Sequence, residues 1–336
     1  MSEPVLSVRG LKTHFRLRTG TLKAVDGLSF ELQAGRVLCI VGESGSGKSV
    51  TAQSIMRLIE LPGRIVDGDI TFRDQDLLAL TEHEMEDLRG NRIGMIFQDP
   101  MTSLNPVFTI GEQIVETIIA HTGASREQAR ARAVELMRLV GIPEPEGRLS
   151  DYPHQFSGGM RQRVLIAIAI ACEPDILIAD EPTTALDVTI QAQILRLLSD
   201  IQKKLGSAMI LITHDLGVVS AMADEVLVMY SGRMVEYGDV KTIFRNPRHP
   251  YTLGLLDSII KLDDSRESEL RSISGLPPIP IDPPPGCAFR DRCVKAMDIC
   301  GEQDPPWIET ATGSTAVCHA VEADEAGGGP GAGAAP

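Results

Sequence analysis

Gly42-Glu43-Ser44-Gly45-Ser46-Gly47-Lys48-Ser49 is the stretch on which the reading of this chain turns. It meets every fixed position of the G-x-x-x-x-G-K-[ST] phosphate-binding loop. The apolar run Val37-Leu38-Cys39-Ile40-Val41 before it reads as a buried strand, and the stretch from Ser49 to about Ile59 reads as a helix. Glycines at 42, 45 and 47 let the backbone curl so that successive N–H groups converge on phosphate oxygens. Lys48 then reaches the β- and γ-phosphates, Ser49 holds Mg²⁺, and the helix N-terminus adds its dipole. A glycine-rich turn can match by accident, but the strand–loop–helix context argues against that here. Residues Gly42 to Val50 are the expected site for ATP or GTP.

The 336 residues suffice for one large α/β domain and something smaller, and 43% hydrophobic residues can fill an ordinary core. A formal charge of −14 argues against nucleic acid as the main partner, because phosphate backbones are held by Lys and Arg. An anionic membrane surface would repel the same charge, so membrane attachment is expected through a protein partner. No stretch approaches the roughly 18 apolar residues of a spanning helix; the longest runs from Val164 to Cys172. Met1-Ser2-Glu3-Pro4 lacks the basic start and apolar core of a signal peptide, so the expected compartment is the cytosol. The six cysteines are then expected to be reduced or metal-bound.

Val5-Leu6-Ser7-Val8 and Leu28-Ser29-Phe30-Glu31-Leu32 alternate with period two, and residues 5 to about 80 suit strands and turns. Residues 82–92 and 111–140 suit helices: Ile110, Ile114, Val115 and Ile118 recur at three-to-four spacing, as do Ala133, Leu136, Met137 and Val140. Glu173 to Ala179 and Ala208 to Thr213 read as further apolar strands, with a helix from about Thr189 to Leu205 between them. The alternation predicts an α/β fold with a mostly parallel, doubly wound core, and residues 99–165 read as an inserted helical subdomain. Near residue 260 the character changes. Gly275 to Gly286 carries six prolines and reads as a stiff, extended connector. Four of the cysteines follow it, and the Gly/Ala/Pro stretch from Glu322 is expected to be disordered. The expected division is 1–260, 261–320 and a tail over 321–336, without internal repeats.

Asp175-Ile176-Leu177-Ile178-Ala179-Asp180-Glu181 reads as a buried strand ending in two acids. It places Asp180 beside Mg²⁺ and Glu181 where an attacking water would stand, to orient and deprotonate it. Two acids can also merely cap the following turn. Phe156-Ser157-Gly158-Gly159-Met160-Arg161-Gln162 opens a helix, with Ser157 as N-cap and small residues exposing backbone N–H groups. One chain has little use for two phosphate cradles on one nucleotide. A head-to-tail dimer does, each subunit's Ser157–Gly159 closing over the ATP on its partner's loop.

Together these residues resemble the ATP-binding cassette (ABC) ATPase family over about residues 4–260. The resemblance implies a P-loop NTPase cassette with a mostly parallel core sheet, an antiparallel β subdomain and an inserted helical subdomain. Ser157, Gly158, Gly159 and Met160 correspond to the family signature, with Met160 in place of its usual glutamine. Gln98, in Phe97-Gln98-Asp99-Pro100, is implied to touch Mg²⁺ or water and to couple to the transmembrane partner. Asp187, in Ala185-Leu186-Asp187, is implied at the dimer interface, His214 at the γ-phosphate, and Phe15 stacked on adenine, with His14 as the other ring available. The order of loop, Gln, signature, Asp-Glu, Asp and His makes independent accidents negligible.

Asp99 to Pro106, Asp180 to Thr189 and Arg248-His249-Pro250-Tyr251-Thr252, with a four-cysteine tail, are similar to the dipeptide/oligopeptide importer ATPases. That resemblance reaches about residue 320. It implies a peripheral ATPase on the cytoplasmic face of the cell (inner) membrane, paired with a second ATPase subunit, expected as a heterodimer. Its further implied partners are two transmembrane permease subunits, whose coupling helix meets Gln98–Pro106, and an extracytoplasmic peptide-binding protein. Cys287, Cys293, Cys300 and Cys318 form a small Cys-rich C-terminal extension without a Cys-x-x-Cys knuckle. Four thiolates suit a [4Fe–4S] cluster, which the resemblance favours, or a Zn²⁺ site, and His319 is a spare ligand. Four unligated buried cysteines are the third reading, and Cys39 and Cys172 are core residues. Nickel or another small solute is the alternative cargo. A soluble ATPase acting on DNA or ribosomes is disfavoured by the charge and by the absence of a coiled-coil insertion or second cassette.

Overall fold

The computed structural model describes residues 3–184, 186–258 and 273–326. The strands are β1 (Leu6–Leu17), β2 (Gly20–Leu32), β3 (Val37–Val41), β4 (Gly63–Phe72), β5 (Gln75–Asp76), β6 (Ile93–Ile96), β7 (Ile176–Asp180), β8 (Ala208–Ile212), β9 (Glu225–Tyr230), β10 (Arg233–Asp239), β11 (Trp307–Glu309) and β12 (Thr315–Val317). They form two sheets, β2-β1-β4-β5 and β11-β12-β10-β9-β3-β8-β7-β6. The first is antiparallel throughout. In the second, β9, β3, β8, β7 and β6 pair in parallel and β10, β12 and β11 continue antiparallel.

β3 reads as an unbroken apolar run because both of its faces are covered. Val37, Cys39 and Val41 enter the core shared with the helices, whereas Leu38 and Ile40 enter the core shared with the antiparallel sheet. The periodic stretch expected over 111–140 is two helices, Ile110–Thr122 and Arg126–Leu139. Local chemistry divides them: Gly123 ends the first in the left-handed region (φ 66°), and a Ser125–Gln128 capping box starts the second. With Gly158–Ala169 they build the helical insert on one side of the parallel strands.

The chain after the connector is continuous with this scaffold rather than a separate body. Ile281 bridges to Leu22, the Lys23 N–H donates to the Pro280 carbonyl at 2.9 Å, and β12 pairs with β10. Helix His319–Ala326 extends into the segment expected to be a disordered tail, because Val321 and the Cys318 side chain are buried against Ala316. Residues 327–336 of that tail lie outside the described residues, as does the expected domain boundary at 260–261.

Candidate active site

The glycine loop leaves β3 and enters helix Lys48–Ile55. Gly42 (φ 154°) and Gly47 (φ 101°) are obligatory. A Cβ at either would lie 2.2 Å from a backbone oxygen, that of Met229 or of Ala24. The Lys48 ammonium folds back over the loop and donates to the carbonyls of Gly42 (2.8 Å) and Glu43 (3.0 Å). Burial lowers its pKa, opposed by the charges of Glu181, Asp180 and Glu43.

At the C-terminal end of β7 the Asp180 carboxylate accepts from the Ser49 hydroxyl at 3.0 Å. Burial, reinforced by the charge of Glu181, raises the Asp180 pKa to about 6 against the opposing Ser49 hydrogen bond and Lys48 charge. A buried acid paired with a hydroxyl at a helix N-terminus fits a divalent cation, which would keep the acid ionised. The next residue, Glu181, sits at φ 44°, in the left-handed region that costs a non-glycine residue about 1–2 kcal/mol. Its backbone is fixed there by an N–H···O bond to Ile212 on β8 (3.0 Å). Its carboxylate accepts from Gln98 Nε2 (3.1 Å) and Thr184 Oγ1 (2.7 Å), and His214 Nδ1 stands 3.7 Å away.

An open cleft of about 680 Å³ gathers these groups, lined by Ser44, Gly45, Gly47, Lys48, Ser49, Val50, Gln98, Glu181, Thr184 and His214. Leu22, Ala24 and Pro280 form its apolar wall. Phe15 does not line the cleft. It lies directly opposite Leu22 in the β1–β2 pairing, hence on the same face, with its ring edge against Gly63. His14 turns to Asp26 instead, 3.6 Å away. Ser157 caps its helix by accepting from the Met160 N–H (3.3 Å), and the residues 157–160 stand outside this cleft. Asp187 is exposed and caps helix Val188–Leu205, accepting from the N–H groups of Thr189 (3.1 Å) and Ile190 (3.0 Å). Ala185, between the acid pair and Asp187, lies outside the described residues.

Residues 25–184 match the family described as ABC transporter, and residues 235–300 match the oligopeptide/dipeptide transporter C-terminal region. The oligopeptide transport ATP-binding protein OppD of Bacillus subtilis (strain 168) is 55% identical over 308 residues, spanning 91% of this chain and 86% of that one. The chain belongs to the ATP-binding proteins of the ABC transporter family. The dipeptide transport ATP-binding protein DppD of Escherichia coli (strain K12) is 49% identical to this ABC protein over 96% of its length and 98% of the relative's. A dimeric ATP-binding cassette bound to ADP and Pi superimposes with a TM-score of 0.63 at 27% identity, covering 70% of this chain and 98% of that one. The cassette fold and the binding of ATP with Mg²⁺ follow from that membership.

The metal expectation in the tail is corrected. Among the described residues, no group of three or more His, Cys, Asp or Glu comes together to hold a metal ion. Cys287 and Cys293 pack as partly buried apolar groups against the main core, and Cys318 joins Ala316 and Val321 in a small one. Burial, with the neighbouring cysteines adding to it, pushes the Cys287 thiol up to about 11 and raises Cys293 and Cys318. His319 is occupied with the Gln303 carbonyl (3.1 Å). Neither the [4Fe–4S] cluster nor the zinc alternative stands. Cys300, Cys318 and Cys39 are buried small hydrophobes, and Cys287, Cys293 and Cys172 are partly buried ones.

Sequence reasoning missed several contributors to the site, Leu22 and Ala24 of the apolar wall among them. Thr184 lies inside a segment already read for its acids. Pro280 belongs to a connector read only as a spacer. Tyr251, whose hydroxyl accepts from the Glu43 N–H at 2.9 Å, was visible only as part of a family segment.

Proposed function

We propose that this chain is the ATP-hydrolysing subunit of an importer for di- and oligopeptides. Two similarities support the cargo: matched relatives named for oligopeptide and dipeptide transport, and the match of residues 235–300 to the C-terminal region of such transporters. The observation that carries the chemistry is the convergence on one cleft of Lys48, the Ser49–Asp180 pair and Glu181. The residues 42–50 cradle the phosphates, and Lys48 offsets the charge that develops at the γ-phosphate. Ser49 and Asp180, with Gln98 nearby, would hold Mg²⁺, which would supply charge neutralisation to the phosphates. Glu181 takes the proton of the attacking water, oriented by Gln98 and Thr184, and His214 faces the same oxygen from the rim. Leu22, Ala24 and Pro280 offer the adenine an apolar wall, with Phe15 beside Leu22 on the same face of the sheet but outside the lining.

Ser157–Met160 serve the nucleotide of a second ATPase subunit in a head-to-tail pair, with Asp187 at its interface. Their position outside the chain's own cleft supports this. Among the described residues no helix is long and apolar enough to cross a membrane. The similarity to peptide transport ATP-binding proteins supports a peripheral chain on the cytoplasmic face, working through permease subunits seated on the exposed Phe97, Met101, Val107 and Phe108 and fed by an extracytoplasmic binding protein. Cells lacking this chain are expected to lose uptake of labelled di- and tripeptides while keeping amino-acid uptake. Restoration by the parent chain but not by Glu181→Gln supports the reading, and unimpaired peptide uptake in those cells sinks it.

The pKa of Asp180 gives a pH signature. Cation binding needs the ionised acid, so Mg²⁺ affinity is expected to fall below about pH 6, by up to about ten-fold per pH unit. Without the cation the sign reverses for folding. The raised pKa makes the folded chain bind the proton more tightly than the unfolded one, so stability from this group is lost as pH rises from about 4 to 6. Calorimetric Mg²⁺·ATP titrations across this range check it as the difference between the parent and Asp180→Asn, which keeps only the nucleotide's own protonation; a pH dependence in the parent no steeper than in that variant refutes the assignment.

A further inference from the structure

A loop that wraps phosphate carries an acid, Glu43, where a carboxylate ought to repel the ligand. The fold turns it away: Glu43 is not among the residues lining the cleft. Its two oxygens lie 2.6 and 2.9 Å from Nη1 and Nη2 of Arg292, a side chain only 6% exposed. This is the fork geometry in which guanidinium holds a carboxylate most strongly. Arg292 is itself held in place. Its Nε donates to the Ser274 carbonyl (2.9 Å), its Nη1 lies 3.3 Å from the Tyr230 hydroxyl, and its guanidinium sits 5.8 Å from that ring's centroid. Tyr230 packs edge-on against Tyr251 (4.7 Å) and Phe289 (5.1 Å). Tyr251 in turn accepts the Glu43 N–H, while the Glu43 carbonyl accepts from Lys48. All three polar groups of Glu43 are thereby committed away from the nucleotide.

We propose that Arg292 is a positioning residue of the nucleotide site. Through it the C-terminal segment, 249 residues further along the chain, neutralises Glu43 and holds the glycine loop in its phosphate-binding curl. Arg292 does not line the cleft and acts through Glu43. Without it, a negative charge is freed beside the triphosphate, and a loop rich in glycine must be ordered at the expense of binding. Pro280, from the same C-terminal segment, lines the cleft, so this segment meets the site at two points. The proposal rests on residues 42–49 being the ATP cradle.

The test measures the affinity of the full chain for Mg²⁺ with a fluorescent ATP analogue. Arg292→Ala is expected to weaken it about ten-fold, and Arg292→Lys, which keeps the charge but loses the fork, by about three-fold. The decisive variant is the double Arg292→Ala, Glu43→Gln. Removing the freed carboxylate is expected to restore most of the lost affinity, which a mere packing role for Arg292 would not produce. Parent-like affinity in Arg292→Ala, or a double variant no better than the single one, overturns the proposal. Should Arg292→Ala fail to fold, Arg292→Lys with and without Glu43→Gln carries the same comparison. Lys48→Ala, run alongside, separates the two layers: if it binds like the parent, the cradle assignment fails. If only Lys48→Ala weakens binding, the cradle stands and the role of Arg292 fails.

Discussion

Replacing Glu181 by Gln is expected to lower ATP turnover about 10²–10⁴-fold while leaving ATP binding nearly intact. The amide is isosteric and its oxygen can still accept from Gln98 and Thr184, which reach the native carboxylate at 3.1 and 2.7 Å. It cannot take a proton from water. The strained backbone at φ 44° is also retained, because the Glu181 N–H stays tied to Ile212. The defect should therefore sit in the chemical step and not in folding or affinity. On the proposed head-to-tail arrangement, in which hydrolysis reopens an ATP-closed pair of subunits, the variant is expected to accumulate as an ATP-loaded dimer. Steady-state phosphate release and light scattering with ATP check both halves. Turnover within about three-fold of the parent would remove Glu181 from the role of base.

The parts of this molecule that the sequence made readable share one physical property: their chemistry is local. The curl of residues 42–49 and the caps Ser157 and Asp187 each work through backbone geometry within a few residues of themselves, and the acids ending β7 announce themselves by an apolar strand directly before them. The capping pairs Thr109–Glu112 and Ser125–Gln128 are equally local, yet the division at Gly123 was overlooked because the apolar period runs across it. What stayed hidden depends on partners far away in the chain. β1 and β2 extend well beyond their alternating cores because they pair with each other, and β1 pairs with β4 on its other edge. β12 joins β10 across 78 or more residues, for which no period in the sequence gives a signal. Glu43 reads alone as an odd acid in an anion site and makes sense only beside Arg292. The cysteines failed as a guide for a related reason. Their count and intervals say nothing of whether the side chains converge, and those described here serve as buried or partly buried apolar groups.

Lys48→Ala is expected to weaken ATP binding about 10²–10³-fold and to abolish hydrolysis. The side chain is the cation among three acids: Glu181, Asp180 and Glu43 all act to raise its pKa. A loss of 10²–10³-fold corresponds to about 3–4 kcal/mol of binding free energy at about 1.4 kcal/mol per ten-fold, on the scale of a lost charge-assisted contact to phosphate. The triphosphate would then face Asp180 and Glu181 without the ammonium that separates like charges. Stability should move the other way. Burial outweighs those acids and lowers the Lys48 pKa, so the folded chain holds this proton less tightly than the unfolded one. Its contribution to stability thus rises with pH through the window between the lowered pKa and 10.5, and at neutral pH the charged side chain strains the fold. The variant is therefore expected to melt no lower than the parent without nucleotide, and to show no rise in Tm when Mg²⁺ and ATP are added. A melting curve with and without nucleotide reads both effects in one experiment. A retained nucleotide-dependent rise would refute the role of Lys48, and a large drop in the nucleotide-free Tm would refute the view that the site holds a charge the fold tolerates only for its ligand.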